Sequence, residues 1–226
     1  VKKFILLILS VGLCFAELRV DTQEKKVDIG FFVGGGIGIG ANAVQYNNVL
    51  HPNGGLYEQN QSFASFVASV KVGAYHYFNP TLGLRVYYNL DFNVLPLDEY
   101  TYNSGSFTPY IFSASHTINA DVIYNVFSQN NIDVAVIGGI GLGALNGEAI
   151  TKNESVYYKN PLSGDGFLDF EFRFNIGARA MFSKKYGVEF MAKLPVTPAT
   201  MVIKDGNSNV KYSPYYFTID FVMERF

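Results

Sequence analysis

From residue 82 to residue 93 the chain alternates: Leu82, Leu84, Val86, Tyr88, Leu90 and Phe92 stand against Gly83, Arg85, Tyr87, Asn89, Asp91 and Asn93. Neighbouring side chains of a β-strand point to opposite faces, so this segment predicts a strand with one apolar and one polar face. The same period of two recurs in residues 27–39, where Phe32 is the one large exception, and in 65–75, 112–125, 132–143, 168–179, 187–194 and 216–225. About eight strands are therefore expected, and no helix follows the N-terminal segment.

That N-terminal segment has its own pattern. Lys2-Lys3 precede the apolar run FILLILSVGLCF, and Ala16 follows it. A positive start, a short apolar stretch and a small residue predict a secretory signal over 1–16, because about 20 apolar residues are needed to span a bilayer. A short periplasmic segment over 17–26 and a barrel over 27–226 are expected to follow. Cys14 is the sole cysteine, and Leu13 stands where a lipid-attachment signal needs a small residue. No disulfide framework is expected.

Alternation does not say which face is inside. A soluble lipocalin-like barrel turns its apolar face inward, and a membrane barrel turns it to lipid. Three features favour the membrane. Tight turns at 78–81, 128–131 and 183–186 alternate with long polar connections at 41–61, 94–108, 145–166 and 196–213, the pattern of short periplasmic turns and long extracellular loops. The polar parity holds glycine, serine and asparagine with isolated charges, in a chain of 16% charged residues where about 25% is usual. Aromatic residues such as Phe78, Tyr110, Tyr124 and Phe182 lie near strand ends, as in interfacial girdles. Lipid cannot satisfy an open sheet edge, so the strands must close.

The expectation is thus an all-β, closed, antiparallel, up-and-down transmembrane β-barrel, monomeric and integral to the bacterial outer membrane. Its expected partners are outer-membrane lipid and lipopolysaccharide and, during biogenesis, the barrel-assembly machinery. A formal net charge of −2 supplies no basic field for nucleic acid.

The segments YFNPTLGLRVYYNLDFN (77–93), ADVIYNVF (120–127), VAVIGGIGLGA (134–144) and FRFNIGARAMFSKKYGVEFMAKLP (172–195) resemble the barrel of the Helicobacter outer-membrane protein family, the Hop-like proteins. The resemblance covers most of the mature chain and implies an integral outer-membrane barrel, in a family that includes adhesins and porins. Larger receptor-binding members insert an extracellular domain after the first strand, whereas 41–61 reads as a loop here, so adhesion does not carry over. The terminal Phe226 resembles the signal read by the barrel-assembly machinery, yet it shares the parity of Glu224 and Asp220 rather than that of Met223 and Phe221.

Two stretches, FFVGGGIGIGANAV from Phe31 and GGIGLGALNG from Gly138, contain G-x-G-x-x-A. A dinucleotide fingerprint needs a helix to follow, and neither stretch opens one. On strands, Gly34, Gly36, Gly38, Gly139, Gly141 and Gly143 share the lumen parity. They are expected to leave room for Tyr87, Arg85, Arg173 and Arg179. No cofactor is expected.

Lys71, Arg85, Arg173 and Arg179, with Asp91, Asp121, Asp133, Asp169, Glu171 and Glu189, fall on the lumen parity as well. They suit either a plug of ion pairs or a charge-selective path. The corresponding functions are a non-enzymatic envelope-structural or surface-binding protein acting through its loops, and a narrow porin-like channel. A membrane-embedded hydrolase needs a nucleophile beside a base, but Ser115 and His116 point to opposite faces. His51, His76 and His116 have no metal-ligand spacing, so neither a catalytic nor a metal site is expected.

Overall fold

The computed structural model describes residues 29–50, 56–96, 100–102, 105–107, 109–129, 131–151, 166–183, 185–202 and 209–225. The expected signal, the segment over 17–26, His51 and Phe226 lie outside them. The strands are β1 (Ile29–Leu50), β2 (Leu56–Tyr77), β3 (Leu82–Pro96), β4 (Tyr100–Tyr102), β5 (Gly105–Phe107), β6 (Pro109–Gln129), β7 (Ile132–Thr151), β8 (Phe167–Phe182), β9 (Tyr186–Pro195), β10 (Ala199–Val202) and β11 (Asn209–Arg225). Apart from the small β4–β5 hairpin, all belong to one antiparallel sheet in the order β1-β2-β3-β6-β7-β8-β9-β11-β10, and β1 also pairs with β11 from Phe31↔Arg225 to Asn47↔Asn209. That last pairing closes an eight-stranded barrel and leaves no edge within the lipid.

Prolines explain why one barrel strand comes in two pieces. β9 pairs with β11 as far as Lys193↔Tyr216, and β10 resumes at Ala199↔Tyr212. Pro195 and Pro198 bracket the gap, and Pro214 sits on β11 opposite it. A residue without a backbone N–H is tolerated there because no ladder bond is lost.

Three tight connections, between β2 and β3, β6 and β7, and β8 and β9, lie at one end, together with the start of β1 and the end of β11. Asn131 and Ser183 adopt positive φ (65° and 53°) in two of these turns. Along β6 the outward face runs from Phe112 to Tyr124 and is apolar apart from His116. That is about 40 Å of strand and, at a tilt near 40°, about 30 Å of height, the thickness of a bilayer's hydrocarbon. Phe78, Tyr124 and Phe182 are 59%, 50% and 46% exposed around the turn end, as a girdle requires.

Towards the other end the strands continue where loops were expected from residues 41, 94, 145 and 196. What changes there is hydropathy, not backbone. Below the reversal, Ile39, Phe66 and Phe217 face out, and Asn93 and Ser113 face in. Above it, Gln45, Asn60, Glu148 and Lys211 are exposed. Val44, Leu95, Ile111, Leu145, Phe167, Ala199, Val210 and Tyr212 pack inward as an apolar core. A strand leaving lipid for water must exchange its faces, so the reversal marks the extracellular membrane surface.

Candidate functional site in the polar lumen

Strand parity aims every lumen side chain. On β3 this puts Arg85, Tyr87, Asn89, Asp91 and Asn93 inside, each 2% exposed or less. Charges come from β2, β3, β6, β8, β9 and β11. β1 and β7 instead line their walls with Gly34, Gly36 and Gly38, and with Gly139, Gly141 and Gly143. In the ring order β1 and β7 stand opposite each other, and so do β3 and β9. One diameter is bare; the other is bridged by ion pairs.

The bridging pairs form two clusters. Nearer the outside, Asp91 on β3 receives Lys193 of β9 at 2.5 Å and Arg173 of β8 at 2.8 Å. Arg173 also lies 3.6 Å from Glu171, which accepts a hydrogen bond from Ser115. Deeper, Glu189 on β9 receives Arg85 of β3 at 2.5 Å and Lys71 of β2 at 2.8 Å. Lys71 also reaches Asp220, and Arg85 reaches Asp121, which accepts from the Tyr87 hydroxyl. The Arg85 guanidinium lies over the rings of Phe32 and Tyr87, 5.4 and 4.8 Å from their centroids. Asn175 joins the clusters by donating to Asp121 and Asn119, each at 3.0 Å. Arg179 and Glu224 pair near the periplasmic end, 2.5 Å apart, and Arg179 also donates to the Tyr77 hydroxyl.

Outside the ion pairs lies an uncharged polar layer, in which Asn42 donates to Ser65, and Asn93 and Tyr212 donate to Asn42. The apolar core caps it. Eight strands enclose just enough room for side chains, and such buried charges are tolerable because each has a partner.

Two residues grouped with this network on parity stand apart from it. Asp133 lies by the β6–β7 turn and accepts from Ser128, and Asp169 lies above Glu171 and accepts from the Thr200 backbone N–H at 3.0 Å. Both occur where a turn or a strand break frees other donors. Conversely, Lys193, Asp220 and Glu224 enter the pairs although the sequence reading passed over them. The parity that selected Glu189 on β9 also selects Lys193, and Phe217, Ile219 and Phe221 put Asp220 and Glu224 inside.

The glycines make less room for arginine than expected. A Cβ on Gly141 would meet Arg173, but on Gly36 it would strike the Ile219 carbonyl and Asp220, and on Gly143 the His116 carbonyl. Their main effect is to let the neighbouring strand's backbone approach closely.

No hydrolytic pair forms at His116. Its Nδ1 lies 2.7 Å from the Tyr88 hydroxyl on the outer wall, while Ser115 faces the lumen. His76 packs edge-on against Phe78, with centroids 4.9 Å apart. Among the described residues no three His, Cys, Asp or Glu side chains converge as a metal site would require.

The outer membrane protein AlkL, determined by solid-state NMR in DMPC bilayers, is 9% identical over 92% of this chain and 95% of its own, with a TM-score of 0.51. OprG from Pseudomonas aeruginosa is 11% identical over 91% and 99%, with a TM-score of 0.44. The outer membrane protease OmpT from Escherichia coli is 7% identical over 91% and 99%, at 0.43. Such likeness, carried by AlkL, concerns the fold alone. No curated protein sequence matches the chain. The sequence model of the Helicobacter outer membrane protein family does match, over residues 69–224, from the middle of β2 almost to the end of β11. Membrane height, closure and this match agree, and the chain belongs to the Helicobacter outer membrane protein family.

Proposed function

We propose that the protein is a non-enzymatic outer-membrane barrel with a sealed lumen, and that its envelope-structural or surface-binding work is done by the extracellular end. One observation carries the reading: the charges of the lumen satisfy one another across the β3–β9 diameter, with side chains of Lys71, Arg85, Asp91, Arg173, Glu189 and Lys193 at most 2% exposed. A charge-selective path needs those groups turned towards water. The apolar core above them adds a second barrier. Opposite orientations of Ser115 and His116 support the non-enzymatic part.

The test is conductance of refolded protein in a planar bilayer. The sealed barrel predicts no reproducible steps. Ion-selective steps that change with Arg85→Ala or Arg173→Ala would instead establish a narrow porin-like channel.

A further inference from the structure

Each charge of the lumen has a partner, yet the sum is not zero. Among the described residues the buried cations are Lys71, Arg85, Arg173, Arg179 and Lys193, five against six buried carboxylates. One negative charge is left over in a space closed to water, where an uncompensated charge is strongly unfavourable.

Distances show which carboxylate is short of a cation. Asp91, Asp121, Glu189, Asp220 and Glu224 each have a cationic nitrogen within 2.9 Å, but the nearest to Glu171 is that of Arg173, at 3.6 Å. The Arg173 guanidinium is already engaged, donating to Asp91, Ser115 and Asn119. Glu171 keeps only the hydroxyl of Ser115 as a hydrogen-bond donor.

Neutral oxygens gather beside it. The Tyr216 hydroxyl of β11 lies near Ser113 and has the charges of Glu171 and Asp91 for neighbours. It is fully buried and has no hydrogen-bond partner among the described residues. On β7, Gly143 pairs with Glu171 and adds no side chain to fill that side. One carboxylate, several hydroxyls and a spare charge of one suit a small monovalent cation. Hard cations take oxygen ligands, and a divalent ion would need more acidic side chains than converge here.

We infer that the lumen binds one alkali-metal cation, sodium or potassium, between Glu171 and Tyr216, with the Ser113 and Ser115 hydroxyls beside it. The inference rests on the sealed lumen proposed above, since an interior open to water would screen the excess charge without a site. Its test follows the heat-dependent gel mobility of the refolded full chain in detergent, at constant pH and ionic strength, in sodium, potassium or N-methylglucamine chloride. Sodium or potassium should raise the midpoint temperature along a one-site saturation curve, and the bulky organic cation should not. Glu171→Gln balances the charges and keeps a partner for Ser115, so its midpoint is expected to be the same in all three salts. Tyr216→Phe removes one oxygen and should move the alkali saturation curve to about fivefold higher concentration. Should Glu171→Gln fail to fold, Tyr216→Phe carries the test alone. Equal midpoints of the unaltered chain in the three salts, or a saturation curve unchanged in the variants that fold, would overturn the inference. A barrel that passes no current and ignores alkali cations would remove the site and keep the sealed lumen, whereas ion-selective steps would remove both.

Discussion

Arg179 and Glu224 pair near the periplasmic end of the lumen, where Arg179 also donates to the Tyr77 hydroxyl, and the mutual dependence of the two charges is measurable. Removing one partner of a buried pair leaves the other charge uncompensated, at about 3–5 kcal/mol, whereas replacing both with apolar groups is close to neutral. Arg179→Met should therefore lower the temperature at which folded protein loses its gel mobility, and Arg179→Met with Glu224→Met should recover most of the loss. Additive effects would contradict the pairing. Glycines offer a second contrast. A Cβ on Gly36 strikes the backbone of β11, while one on the outward Gly138 meets nothing within 4 Å. Gly36→Leu is expected to abolish heat-modifiable folding and Gly138→Ala to preserve it. Parity alone placed Arg85, Asp91 and Glu189 inside, and it was sufficient for Lys193 and Asp220 too. It could not separate Asp133 and Asp169 from the network, because parity reports the face of a strand and not the height along it.

The strands were legible where one face meets lipid and the other the lumen. Their upper ends were not, because the apolar set changes parity there: Val44 follows Ile39 on β1, and Leu95 follows Phe92 on β3. Backbone hydrogen bonds are indifferent to which face is apolar, so the ladder continues through the reversal. The apolar core of the mouth should then act as a small water-side domain core. Ile111→Ala removes a side chain buried in this core, opposite Leu95, a change that usually costs about 2–5 kcal/mol. The expected result is faster proteolysis and amide exchange at the upper ends of β1, β2, β6 and β7, with heat-modifiability retained. Loss of the whole barrel would show instead that mouth and membrane segment fold as one unit.

At the scale of the whole molecule, the barrel combines two perpendicular diameters, glycine walls on β1 and β7 and ion pairs from β3 to β9. The eight-stranded closure followed from strand count and the intolerance of lipid for an open edge; the crossing of the diameters did not, since it depends on which strands end up facing. The proposed sealed lumen lets no water traverse this interior. Cys14 is the sequence's single cysteine, so thiols introduced one at a time along β6 and β11 report accessibility with little background. With a charged, water-soluble thiol reagent, Lys211→Cys on the exposed mouth should label rapidly. Thr117→Cys in the lumen and Ile118→Cys on the lipid face should both stay unlabelled, Ile118→Cys reacting only with a lipid-soluble reagent. Labelling of Thr117→Cys at a rate approaching that of Lys211→Cys would instead mean an open lumen.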